Sequence, residues 1–368
     1  MEAVVIKERL KSLDALRGFD MFWIIGGEGL FLTLKNYSHS PFIAFGIEQM
    51  DHVSWNGFHF MDLIFPLFLF LAGLAMPFSL KRQLEKGVPK KEVYLHIFKR
   101  TLILILFGIL INGVQVLEFH KIRFASVLGQ IGIAYMFGAL IYLNFDYKKQ
   151  IIWVVGILVA YWAMLKFIPV PGVGAGVLTM EGSLNGYIDR LFMPGHLYRE
   201  IHDPEGWLVK IPATATALLG ALTGAFIKEG KYNGYKKAGL LLITGTLFLI
   251  LSRVLDPIFP INKNLWTSTF VLHTAGWSLL LFSLFYFVID VLHFQKWAFP
   301  FVVIGMNSIT IYLSVSYINF SYTANALFGS IVKLIPVDFQ PFTQVIFILL
   351  VEWCFLYFLY RKKIFLRV

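Results

Sequence analysis

Ten stretches of roughly 20 mostly apolar residues run through the chain, at about 12–34, 58–80, 97–117, 124–144, 150–168, 209–228, 236–254, 266–290, 298–318 and 341–360. A bilayer's hydrocarbon core is about 30 Å thick and takes about 20 helical residues to cross. Inside it the backbone must satisfy its own hydrogen bonds, so each stretch is expected to be a helix. The composition agrees: only 15% of residues are charged, against about 25% in a soluble domain, and mean hydropathy is +0.70. The expected fold is an all-α polytopic membrane bundle of about ten transmembrane helices, with residues 1–368 forming one domain. The first stretch is interrupted by "IIGGEG", a break tolerated where backbone lines a cavity inside the protein. Residues 319–335 are expected to form a short re-entrant or interfacial piece.

Lys and Arg gather on the cytoplasmic side of membrane spans. One set of helix ends carries "KERLK", "KRQLEKGVPKK", "DYKK", "KEGKYNGYKK" and "RKKIFLR"; the opposite set carries only isolated basic residues such as Lys35, Lys121, Arg190 and Lys333. The division is 22 of the 32 basic residues against nine. Both termini are therefore expected in the cytoplasm, with outer loops at about 35–57, 118–123, 169–208, 255–265 and 319–340. The same flanking role accounts for the net charge of +10, so nucleic acid is not the expected partner; membrane lipid is. No cleavable signal peptide is visible in "MEAVVIKERLKSLDALRG", and the first span is expected to serve as the targeting signal. The single cysteine, Cys354, rules out an internal disulfide. The 169–208 loop is long, rich in turn formers and mixed in charge, which favours an ordered outer cap. No internal repeat is visible, so an inverted-repeat transporter lacks support.

Several polar residues sit beside or inside the apolar runs. Asp14 and Arg17 share a helix face at i, i+3; they form either a local anchoring ion pair or, through Arg17, a phosphate contact on the cytoplasmic side. Lys99 and Arg100 begin the third span on that side, where snorkelling is the plainer account. Glu28 lies near the outer end of the first span, and a carboxyl at membrane depth is a functional candidate. In "DHVSWNGFHFMDLIFP" (51–66), Asp51, His52, Asn56, His59 and Asp62 crowd one short segment. On a helix beginning near Asn56, His59 and Asp62 would share a face. The spacing lacks HExxH, so no metal is expected. Arg123, Asp189, Arg190, His196, His202, Asp203, Glu205 and "NKNLW" at 262–266 could converge on this outer cluster. In "GMNSI", Asn307 and Ser308 place an amide and a hydroxyl inside a span, for which helix–helix hydrogen bonding is the simple reading.

Taken together, "SLDALRGFD", "HVSWNGFHFMDLIFP", "GYIDRLFMPGHLY", "DPEGWL", "PINKNLWT", "GMNSI" and "YRKKIF" resemble the heparan-α-glucosaminide N-acetyltransferase family of transmembrane acyltransferases. The resemblance implies that the acetyl group of cytosolic acetyl-CoA crosses to an amino sugar or glycan on the outer side while the nucleotide stays behind. It places the family's active histidine on His52, and acetyl-CoA is the co-substrate. The expected catalytic residues are His52 and Glu28. Arg17, Arg100 and Asn307 are expected on the cofactor. Asp62, Arg123, His196, Asn262, Lys263, Asn264 and Trp266 are expected on the acceptor. The imidazole would serve as general base, or as carrier in an acetyl-histidine intermediate, with direct transfer preferred.

The chain departs from human-type members of that family in two places. Glu28 stands where they have an asparagine on the first span, and Gln130 where they carry an arginine, whereas Arg123 matches. It is also expected to lack the large outer domain and preceding span of lysosomal members, as a bacterial version in the plasma (inner) membrane would. A homodimer is left open. O-acetylation of a surface polysaccharide is the competing enzymatic reading, and a sugar permease or a binding module the non-enzymatic one.

Overall fold

A computed structural model describes residues 10–36, 40–113 and 118–366. Lys7, Arg9 and Arg367 of the terminal basic clusters lie outside them. Every named element among the described residues is a helix, accompanied by isolated bridges such as Arg123 with Gly195. Eight of these helices are long and apolar enough to cross a membrane, and a ninth span results if one bent pair counts as one. The count of ten needs two corrections to its picture of continuous helices. Lys296–Met306 and Ser308–Tyr317 form the bent pair, broken at Asn307 by 63°. The first span is Lys11–Phe22, a π-helical turn Trp23–Gly27 and the short Gly29–Leu32. Gly26 at φ 126° makes that break, a conformation that costs glycine little and other residues more.

The chain divides into two compact units. The first comprises residues up to Thr33, Tyr232–Leu242 and Leu279–Leu366. In it, Lys11–Phe22 packs on Phe299–Met306 so closely that a Cβ on Gly18 would overlap the Phe301 carbonyl, and one on Gly305 the Asp14 carbonyl. Small residues let helix backbones approach where no hydrophobic effect drives association. The 319–335 segment is the helix Phe320–Val332, packed along Gln340–Arg361.

The second unit comprises Leu34–Lys231 and Ile243–Ser278. Its centre is the contact between Phe60–Leu74 and Lys210–Lys228, where Gly73 meets the Ala217 backbone and Gly220 the Phe70 backbone. The 169–208 segment is ordered around the helix Leu184–Phe192, whose N-terminus is capped by Ser183. Tyr161, Leu165, Val170, Leu184 and Phe259 form the apolar cluster that anchors it.

Candidate functional site

The segment 51–59 is irregular, because Gly57 at φ 118° and the Trp-Asn-Gly turn oppose a helix. The following helix starts at Phe60, with His59 as its N-cap residue. His59 and Asp62 therefore do not share a helix face as the sequence suggested. Asp62, 1% exposed, instead turns back to the irregular segment. Its Oδ2 accepts the backbone N–H of His59 at 3.0 Å and of Val53 at 3.3 Å. Its Oδ1 lies 2.8 Å from Nδ1 of His52. A carboxylate only accepts, so Nδ1 carries the proton and Nε2 holds the free lone pair. The His52 side chain is 53% exposed.

A second loop closes on the first. The Gly57 N–H donates to the Ile261 carbonyl at 2.9 Å, and Asn262 Nδ2 donates to Asn56 Oδ1 at 2.9 Å. Asn262 Oδ1 also accepts the N–H of Leu265 at 2.8 Å. The resulting tight turn holds Trp266 at φ 48°, an unusual value for a bulky residue. Trp266 is 1% exposed, packs on Phe65 and Phe270, and donates to Thr216 Oγ1 at 3.3 Å. What the turn presents to the site is Lys263: its Nζ is 3.3 Å from Asp62 Oδ1 and 3.0 and 3.2 Å from the two ring nitrogens of His52. Since Nδ1 already donates to Asp62, only Nε2 can accept from Lys263. Burial lowers the Lys263 pKa, with Asp62 and Glu205 working against the shift.

Arg123 lies in a different cluster. It holds Asp203 through Nε at 2.8 Å and Nη2 at 2.6 Å, also contacts Glu205, and stacks 4.7 Å from the Tyr198 ring. Burial works to raise the Asp203 pKa, but the Arg123 hydrogen bonds and charge, with two backbone N–H donors, hold it below the usual carboxylate range. His202 touches the turn from this side, its Nε2 donating to the Asn264 carbonyl at 3.0 Å. Burial pushes the His202 pKa down to about 4 and that of Asp189 up to about 6. Asp189 accepts the Trp207 N–H at 2.8 Å. His196 is on neither cluster; it lines a cavity of about 380 Å³ with His120, Asp189 and Glu200.

The structure thus joins His52, Asp62 and Lys263 directly, with Asn262, Asn264 and Trp266 building the turn that carries Lys263. Arg100, in the same unit, places its guanidinium 4.1 Å from the Tyr135 ring and leaves its buried Nε without a hydrogen bond. Gln130 is fully buried with both amide atoms unpartnered. Arg17, Glu28 and Asn307 belong to the first unit. Arg17 is 3.9 Å from Asp14. Asn307 donates to the Ile364 carbonyl at 3.2 Å. Glu28 has a buried, unpartnered Oε2 and interacts with the charge of Glu352. Glu352 was missed by the sequence reading, although a carboxyl in the apolar run "LLVEWCF" is itself a signal.

Residues 9–253 match the family model described as heparan-alpha-glucosaminide N-acetyltransferase, catalytic. Two curated relatives, the heparan-alpha-glucosaminide N-acetyltransferases of Mus musculus and Homo sapiens, are each 28% identical over 364 residues. The alignments cover 83% of this chain and 53% and 52% of those proteins. The chain spans about half the length of the curated relatives it matches.

Proposed function

Because the chain belongs to the heparan-alpha-glucosaminide N-acetyltransferase family, we propose that it moves the acetyl group of cytosolic acetyl-CoA to an amino sugar or glycan on the outer side of a membrane, acting as one domain in a bacterial inner membrane. The observation that carries this reading is the His52 Nδ1 to Asp62 Oδ1 contact of 2.8 Å on a half-exposed imidazole. Asp62 fixes the tautomer and the ring plane. As Lys263 turns from Nε2 toward the acetyl oxygen, Nε2 takes a proton from the acceptor amine while the amine nitrogen bonds to the thioester carbonyl carbon. The C–S bond breaks, and His52 returns the proton to the departing sulfur. General acid–base help of this kind is worth about 10²–10⁴-fold. Lys263, whose Nζ lies 3.0–3.2 Å from the His52 nitrogens, stands ready to place positive charge beside the oxygen that becomes anionic in the tetrahedral state.

The residues proposed for the donor fit an anionic ligand. The buried Nε of Arg100 lacks an acceptor, and a guanidinium suits phosphate oxygens. Arg17 and Asn307, in the first unit, are proposed for the donor as well, the one for its guanidinium and the other for its side-chain amide.

The test is acetyl transfer by the purified full chain in detergent, with acetyl-CoA and glucosamine. N-acetylglucosamine and free thiol should appear in equal amounts; no turnover of the thioester by folded protein would overturn the reading. Orientation is tested with Lys86→Cys and Glu181→Cys in a Cys354→Ala background, both positions being exposed. An impermeant thiol reagent on intact cells should label position 181 alone.

A further inference from the structure

The first unit contains a cavity of about 380 Å³ that none of the acetyl-transfer chemistry uses. It lies where the chain breaks between Ser308–Tyr317 and Phe320–Val332, with Ile318 and Asn319 in non-helical conformations. Across from this break, on Gln340–Arg361, Glu352 lines the cavity. Glu352 is 3% exposed, and its Oε2 is buried with no hydrogen-bond partner. The remaining polar lining is Ser316, Asn319, Ser321 and the hydroxyl of Tyr317, with no Lys, Arg or His among the lining residues. The C-terminal end of Ser308–Tyr317 brings the negative end of a helix dipole to the break, and the N-terminal end of Phe320–Val332, capped by Asn319 Oδ1 on the Tyr322 N–H at 2.8 Å, brings a positive one. Glu28, in the same unit but not in the lining, also has a buried, unpartnered Oε2.

The side chains of this lining supply acceptors and a carboxyl but no cation. A carboxyl buried at membrane depth demands a donor, and a cationic donor most of all. The volume falls within the range of organic-ligand pockets, about 300–1,000 Å³, and is roughly ten times the ~30 Å³ share of one water. A bare metal ion would leave most of it unfilled. We propose that Glu352 and the Ser316–Ser321 break form a binding site for a small organic ammonium ion, a primary amine on a hydroxylated body the size of an amino sugar. The ammonium group donates to Glu352, and hydroxyls meet Ser316, Asn319 and Ser321.

The primary ammonium could come from a free amino sugar or from an ethanolamine headgroup. Binding is measured by calorimetry on the detergent-purified full chain without acetyl-CoA, using glucosamine, N-acetylglucosamine and ethanolamine as probes. Glucosamine should bind, N-acetylglucosamine should bind at least tenfold more weakly, and Glu352→Gln should weaken glucosamine at least tenfold. Ethanolamine binding that depends on Glu352, in the absence of glucosamine binding, supports the ammonium site and assigns it to the headgroup. Ser316→Leu, which fills the cavity and keeps the carboxyl, should give the same loss and serves where Glu352→Gln does not fold. Glucosamine and ethanolamine affinities unchanged by either folded variant, or no binding of either amine by folded wild type, overturn the site. Because acetyl-CoA is absent, failure here leaves transfer at His52 untouched, and failure of transfer leaves this measurement standing.

Discussion

Two charge clusters in the second unit use similar residues to opposite ends. Around Asp62, a carboxylate binds an imidazole and an ammonium, yet the imidazole remains half exposed. Around Arg123, two carboxylates close on one guanidinium, with Asp203 fully buried and Glu205 nearly so. The first arrangement leaves a lone pair on Nε2 without a carboxylate. The second consumes its charges internally. Ion pairs in a low-dielectric setting do not by themselves mark a reactive site; a half-exposed base whose lone pair faces only a mobile ammonium does.

That contrast can be broken by mutation, and the largest effect is expected at His52. His52→Ala should lower acetyl transfer by about 10²–10⁴-fold, while thermal unfolding moves little because the side chain is exposed. A variant that retains near-normal turnover would remove His52 from catalysis. Arg123→Ala should act through the fold. Stranding two buried carboxylates costs about 3–5 kcal/mol, seen as a lowered unfolding temperature, and the activity of the surviving folded fraction should stay within a few-fold of wild type. Loss of turnover at unchanged stability would show that Arg123 touches the acceptor instead.

Lys263→Met should fall between these. It keeps the stem and removes the ammonium, and loss of one oxyanion-stabilising donor is worth about 10²–10³ in rate, read as kcat at saturating acceptor. A change confined to KM would reassign Lys263 to binding.

The smallest effect concerns pH. His202 has its pKa depressed to about 4 from about 6.5 when unfolded. Its contribution is therefore complete above pH 6.5 and is lost on acidification toward 4, up to about 3 kcal/mol. Asp189, raised to about 6, contributes with the opposite sign, since its stabilisation is present below about pH 4 and disappears as pH rises to 6. The two offset each other between pH 4 and 6. Asp189→Asn should therefore make the unfolding temperature fall more steeply with acid than in wild type, a difference measurable by scanning fluorimetry. Parallel profiles would show that Asp189 does not titrate in this range.

The helices were legible because apolar run length reports membrane crossing directly, and "IIGGEG" gave away the break at Gly26. Parts of the clusters were legible as composition: His52 and Asp62 are ten residues apart, and their segment is visibly polar. Their pairing was not, since it depends on where the helix begins, and the Trp-Asn-Gly turn moves that start to Phe60. Lys263 could not be paired from sequence, because it meets His52 across 211 positions. Asn262 and Trp266 read as ligand contacts in the motif; in the fold Asn262 also bonds to Leu265 and Asn56, and Trp266 to Thr216 on Lys210–Lys228. In such loops a motif records what shapes the backbone as readily as what touches a substrate.

The union of residues 51–62 with the 261–267 turn also sets an order of events during synthesis. His52 and Asp62 emerge early, but Lys263 arrives some 200 residues later, roughly 10–40 s at a ribosome rate of about 5–20 residues per second. Until then the Gly57 and Asn56 contacts with Ile261 and Asn262 do not exist, and the histidine loop has only its own bonds to Asp62. A nascent chain therefore carries His52 and Asp62 without Lys263, and the three meet only once the turn that follows the seventh apolar run has been made.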